Sequence, residues 1–189
     1  MAYFVDLSDY TYFVRPSQPS CVNIGWLNKD HPFDQRSPTE DVLSALWSHC
    51  MISVLQTRGL HQCDLCPPPT PLVVASRSGD GLRLGSAEIR VFSLHGEIYA
   101  CPNLIYHYVR THHYKPPGEF LTALNEGPRP QAPEYFECLK KAGLDWGQTH
   151  RYPGDTRKSR PVITGSRSET VDGVWRRIEM EFPVFLDED

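Results

Sequence analysis

His61-Gln-Cys63-Asp-Leu-Cys66 opens, and His107-Tyr-Val-Arg-Thr-His112-His113 closes, the stretch whose reading decides the fold. Cys63 and Cys66 are spaced so that a tight knuckle turns both sulfurs toward one point. C-x2-C followed by H-x3–5-H is the ligand grammar of a structural zinc site, because thiolate and imidazole both suit this borderline-soft ion. The 40 residues between Cys66 and His107 exceed the dozen or so of a compact finger, yet they contain its parts. Ala87–Phe92 and Glu97–Ala100 read as two strands, with Leu94-His95-Gly96 as the turn between them. Pro102 suits the first turn of a helix, and Leu104, Ile105, Tyr108 and Val109 recur at helical spacing. On an ideal helix His107 and His112 stand about 140° apart, so both reach one ion if the last turn tightens toward 3₁₀. The expected unit is a zinc-finger-like ββα over 61–113 with an insertion at Pro67–Gly85. Its ligands are Cys63, Cys66, His107 and His112, with His61 and His113 as competitors for the fourth place.

Two other readings of the pair stay open. A redox C-x2-C wants a helix directly after it, and Pro67-Pro68-Pro69 forbids one. A Cys63–Cys66 disulfide leaves the histidines unexplained. Free cysteines without any special role are the bland alternative.

Outward from this stretch, Cys21–Leu27 reads as a short buried strand. The aromatic arm before it carries Tyr3, Phe4, Tyr10, Tyr12 and Phe13. Ser37 as N-cap, Pro38 at the first position and Glu40 closing a capping box predict a helix with Val42, Leu43, Leu46, Trp47 and Cys50 facing inward. His49 falls between stripe positions and is expected at the surface or the helix end rather than on a metal. Leu72–Ala75 reads as a strand, followed by a turn at Ser78–Gly81. Pro117 starts a helix that buries Phe120, Leu121 and Leu124. Another runs from Ala132-Pro133 to Ala142, with Tyr135, Phe136 and Leu139 inward and Gly143 as its stop. Beyond His150, Arg151, Arg157, Lys158, Arg160 and Arg167 sit among Gly, Pro and Ser and read as a solvated basic loop. Ile178, Met180 and Phe182 then alternate with charged residues as a half-buried strand. The expected fold class is α+β: a small antiparallel sheet with the ββα unit, several short helices and long Pro-rich loops. Residues 1–150 form one such domain, and 151–189 add the basic loop and C-terminal strand packed on it.

The segments Arg58-Gly-Leu-His-Gln-Cys63-Asp-Leu-Cys66, Gly85-Ser-Ala-Glu-Ile-Arg90-Val, Tyr99-Ala-Cys-Pro-Asn103-Leu-Ile-Tyr-His107-Tyr-Val and Tyr114-Lys-Pro-Pro-Gly-Glu-Phe120 together resemble a family of uncharacterised bacterial proteins. Asp6-Leu-Ser-Asp-Tyr10 and Asn23-Ile-Gly-Trp26-Leu27 are similar to it too. The resemblance covers about residues 1–125. It implies a small protein with the Cys/His constellation as its signature and brings no activity with it.

Composition narrows function. A net charge of −4 gives no bulk attraction to nucleic acid or anionic membrane. No apolar run approaches the ~20 residues that span a bilayer. The start of the chain lacks a basic n-region, so no signal peptide is expected. Six cysteines with one close pair suit a reducing cytoplasm better than a disulfide framework. Four protein ligands close a zinc sphere, so the expected role is structural, in a protein-interaction, regulatory or immunity-type module whose partner is another protein; self-association is a further option. A zinc-dependent hydrolase or deaminase needs an open position and a base, for which Glu88, Glu97 and Glu119 are candidates. Neither H-E-x-x-H nor the deaminase order is present, so no catalytic residue is assigned. Cys101 beside His107 is the one nucleophile to consider. A nucleic-acid-binding finger would show Asn103, Tyr106 and Arg110 outward, a sparse reading face.

Overall fold

The computed structural model of the chain describes residues 2–13, 18–57, 59–67, 73–77, 80–144, 162–171 and 174–183. Ser78 and Gly79 of the expected turn lie outside them, as do Pro68, Pro69, Leu72, and the basic residues Arg151, Arg157, Lys158 and Arg160. The chain divides into two compact units, Met1–Pro153 and Gly154–Asp189.

The first unit contains β1 (Val22–Asn23), α1 (Glu40–Met51), β2 (Val74–Arg77), β3 (Asp80–Arg83), β4 (Glu88–Phe92), β5 (Ile98–Pro102), α2 (Ile105–His112), α3 (Gly118–Glu126) and α4 (Pro133–Lys141). This is an α+β fold. β4 and β5 form the expected antiparallel hairpin, with Gly96 supplying the positive φ (+97°) its turn requires. β1 adds to β5 in parallel, with Asn23 opposite Ala100, so the three-stranded sheet β1-β5-β4 is mixed. β2 and β3 pair as a separate antiparallel hairpin.

Every residue of β4 is buried. Side chains alternate across a strand, so Ile89 and Val91 join one cluster and Glu88 and Arg90 fall on the other face. The first cluster takes Leu46, Trp47 and Cys50 from α1, Ile105, Tyr108 and Val109 from α2, and Phe120, Ala123 and Leu124 from α3. Trp47 meets Tyr106 edge-on at 5.3 Å between ring centroids. On the other side, Tyr135, Phe136 and Leu139 of α4 pack with Ile52, Val54 and Phe92. The Tyr135 hydroxyl donates to the Arg90 carbonyl at 2.7 Å.

Four expectations need correction. The N-cap of α1 is Thr39, not Ser37: its Oγ1 accepts from the Val42 N–H at 3.4 Å, which leaves Pro38 outside the helix. Pro102 ends β5 instead of opening α2, where its missing N–H is tolerated, and the Asn103 N–H extends the ladder to the Ala87 carbonyl at 2.9 Å. His49 stands in the last turn of α1 and outside the convergent Cys/His group, as expected, but it is buried rather than superficial. Its Nδ1–H donates to the Ala45 carbonyl at 2.8 Å, its ring lies against Tyr135 at 5.6 Å, and its Nε2 has no partner among the described residues. In the second unit, β6 (Val162–Val171) occupies part of the segment expected to be a basic loop and includes Arg167. It pairs antiparallel with β7 (Val174–Pro183), placing Ile178, Met180 and Phe182 opposite Arg167, Gly165 and Ile163.

The buried charges form a pair. Arg90 Nη1 donates to Glu88 Oε2 at 2.8 Å, and the Tyr10 hydroxyl lies 2.9 Å from both Glu88 oxygens. The guanidinium also sits 5.0 Å from the Tyr10 ring centroid. Removing one partner strands the other in a low dielectric. Arg90→Met and Glu88→Leu should each cost ~3–5 kcal/mol, and the double replacement clearly less than the sum. Urea unfolding of the four proteins measures this; strict additivity would mean that the two charges are not coupled.

Burial, the larger effect, pulls His49 down to about 4 from its usual 6.5, against the Ala45 hydrogen bond. Between those values the unfolded chain takes up a proton that the folded chain refuses. Stability is therefore full above pH 6.5 and falls as pH drops toward 4, by at most ~1.4 kcal/mol per pH unit for this group. His49→Phe should make that slope shallower in urea titrations at pH 7 and pH 5. An unchanged slope would show that His49 does not carry it.

Candidate metal centre

The knuckle is set by backbone contacts before any metal is considered. The Cys66 N–H reaches the Cys63 carbonyl at 3.3 Å and closes the turn. Just upstream, the His61 N–H donates to the Gly85 carbonyl at 2.8 Å. Gly85 has φ +101°, and a Cβ there would sit 2.2 Å from the His61 carbonyl oxygen, so only glycine allows this approach. The Gly85 N–H in turn donates to Asn103 Oδ1 at 2.7 Å. Asn103 stands just before Leu104, the N-cap of α2, so one glycine ties the knuckle segment to the root of the helix that carries the histidines.

The far end of α2 is fastened as firmly. His113 follows the helix in the left-handed conformation, φ +55°. Its carbonyl accepts from the Arg36 N–H at 2.7 Å, and the Lys115 N–H donates to the Asp34 carbonyl at 2.8 Å. The Tyr114 hydroxyl donates to Asp6 at 2.7 Å. α2 stays α-helical through His112, so the 3₁₀ tightening anticipated for its last turn does not occur. The two imidazoles converge through their side chains instead.

Cys63 Sγ, Cys66 Sγ, His107 Nε2 and His112 Nε2 all lie within 4.8 Å of one another, and the group could hold a metal ion. His112 Nε2 is 3.2 Å from Cys63 Sγ, 3.3 Å from Cys66 Sγ and 3.2 Å from His107 Nε2. His107 Nε2 is 3.3 Å from Cys66 Sγ. A tetrahedron built on zinc–sulfur bonds of about 2.3 Å and zinc–nitrogen bonds of about 2.0–2.1 Å has edges of roughly 3.3–3.8 Å. Four of the six donor separations, at 3.2–3.3 Å, are close to the shorter of those edges, and all six are within 4.8 Å, so the donor set suits such an ion.

Electrostatics agree with the geometry. Burial, then the neighbouring His112, pulls His107 down to about 4, which leaves it neutral with a lone pair at pH 7. His112 is lowered by burial and then by His113. Burial pushes the Cys63 thiol up to about 11, with Cys66 adding to it, so a cation is what would draw off its proton. His107 Nδ1 lies 3.2 Å from Thr111 Oγ1, a neighbour one helical turn on.

The competitors are placed elsewhere. The His61 and His113 side chains are exposed, and neither belongs to the convergent group. No carboxylate joins that group among the described residues: Glu88 is engaged by Arg90 and Tyr10, and Glu97 by Ser93. Cys101 is fully buried, and that burial holds its thiol well above the usual value, the opposite of an activated nucleophile. Asn103 and Tyr106, expected outward for base reading, are buried, leaving Arg110 as the one exposed member of that trio. Thr111 was not singled out from sequence, although its i+4 relation to His107 could have flagged it. The Gly85–Asn103 tie had no comparable sequence signal.

No curated protein and no solved structure matches the chain. A family described as a domain of unknown function, DUF7919, matches residues 2–125, from the aromatic arm to the last turn of α3. About two thirds of the sequence and all four converging side chains fall inside that match, and the chain belongs to the DUF7919 family.

Proposed function

We propose that Cys63, Cys66, His107 and His112 hold a structural Zn²⁺, and that the protein acts as a binding module for a protein partner, in a regulatory or immunity-type role. The observation that carries the metal reading is the convergence of the four donor atoms, all within 4.8 Å of one another and four of the pairs at 3.2–3.3 Å. Two thiolates and two imidazoles suit zinc in ligand type and geometry, and four protein ligands leave no position for an activated water. The ion would supply folding free energy by joining the knuckle to α2. All six cysteines are free, which fits residence in a reducing compartment such as the cytoplasm.

The partner reading draws its support from the arm. Val5, Leu7, Tyr12 and Phe13 are 60%, 40%, 40% and 46% exposed, while Tyr10 beside them is buried. Aromatic side chains of this kind, held in place on a folded base, are what protein interfaces use. A second copy of the chain is the alternative occupant, and analytical ultracentrifugation separates the two.

Purified protein should contain one zinc per chain by elemental analysis. Cys63→Ser and His112→Ala should lose it and aggregate or melt at least 10 °C lower, since losing a site worth several kcal/mol moves the Tm that far in a domain of this size. His61→Ala should keep the zinc. His113→Gly should keep it too and gain up to ~1 kcal/mol, because glycine adopts the left-handed conformation without the strain of a Cβ. Full zinc in His112→Ala alongside its loss in His113→Gly would reassign the fourth ligand. A chelator-treated protein with an unchanged melting curve would end the structural role.

A further inference from the structure

β6 and β7, 10 residues each, pair only with each other among the described residues. They lie outside the family match, which ends at residue 125. A lone two-stranded ribbon is marginal in water, and further strands are what make such a sheet stable. The second edge of β7 is long enough to template one. Its only proline is the last residue, Pro183, so no missing N–H interrupts that edge.

The residue pattern says which strand fits. Alternate positions of a strand share a face. Val174, Ile178, Met180 and Phe182 fall on one face of β7, together with Arg176, which stands opposite Glu169 of β6. Arg177, Glu179 and Glu181 fall on the other face, with Trp175. They stand opposite Ser168, Ser166 and Thr164, so β6 offers these three no opposite charge.

We propose that β7 pairs antiparallel with β7 of a second copy of this chain, centred on Ile178, to form a four-stranded sheet across a two-fold axis. In that register each Arg177 stands opposite Glu179 of the other copy, and the axis makes two such pairs. Val174 falls opposite Phe182, and Ile178 opposite its own copy. Arg176 meets Met180 and Trp175 meets Glu181, so no like charges are opposed. Opposite charges across strands stabilise a sheet, and like charges directly opposite destabilise it. Centring on Arg177 opposes two arginines, and centring on Glu179 opposes two glutamates. Centring between two residues sets the apolar face of one copy against the charged face of the other. β7 is therefore complementary to itself in the register about Ile178, while the same charges discourage an arbitrary strand. That self-complementarity is the argument for a second copy as the occupant.

The test uses the full-length chain in sedimentation equilibrium over a concentration series, and the chain should dimerise. Arg177→Glu and Glu179→Arg should each raise the dimer dissociation constant at least tenfold, since each turns two attractive pairs into two repulsive ones. An equimolar mixture of the two variants should associate again, because the arginines of one copy then meet the glutamates of the other. The double variant Arg177→Glu/Glu179→Arg should also recover the dimer. Recovery in the mixture separates loss of pairing from loss of folding. A chain that stays monomeric, or a mixture and double variant that both fail to associate, overturns the proposal. So does a dimer that withstands both single reversals; if Phe13→Ser dissolves it instead, self-association belongs to the aromatic arm.

Discussion

Four electron-rich atoms, two sulfurs and two imidazole nitrogens, are brought close together at the end of α2. Lone pairs do not gather at 3.2–3.3 Å for their own sake. They repel unless protons or a cation stand between them. The rest of the first unit can be understood as the apparatus that enforces this proximity. Gly85 admits the His61 backbone and holds Asn103, fixing the knuckle against the root of α2. Asp34–Arg36 and Asp6 fasten the chain just past the other end of that helix. The donors are thus presented by a backbone braced on both sides.

The sheet beneath is organised around a second electrostatic constraint. Arg90 and Glu88 lie on one buried face of β4, Tyr10 caps the carboxylate, and Tyr135 takes up the Arg90 carbonyl. The aromatic arm, β4 and α4 therefore meet at one ion pair. A buried pair of this kind is a weak source of net stability but a strong specifier of arrangement, since any packing that separates the charges is heavily penalised. The opposite face of the same strand is entirely apolar and carries the three-helix core.

Much of this was legible from the residues, and the failures are instructive. The ββα order, the turn at Gly96, the inward faces of α3 and α4 and the identity of the convergent Cys/His group follow from period and spacing, which are local properties. The misread positions depended on long-range context. Pro102 looks like a helix opener until Asn103 is seen pairing with Ala87, which extends the strand. His49 breaks the apolar stripe of α1, but α4 covers it from outside the helix, and no helical wheel shows that. The alternation of Glu88 and Arg90 with Ile89 and Val91 carries no local sign that both faces of the strand are buried. Only the arm and α4, which close over the face of Glu88 and Arg90, turn these two into buried partners. The same limit applied to β1, whose parallel pairing with β5 depends on a strand far away in sequence.

The cluster bridges a span of 40 residues between Cys66 and His107. With a metal ion bound there, a cross-link of that reach would act partly on the denatured chain, by removing loop-closure entropy worth about 4 kcal/mol in the chain-entropy picture. That entropy grows only logarithmically, so doubling the enclosed length changes the closure cost by only about 0.6 kcal/mol. The β2–β3 excursion inside the ring is thus under little thermodynamic pressure to keep its length. What constrains it is packing instead, since Val73, Ala75 and Leu84 are buried in the same core as the sheet and α2.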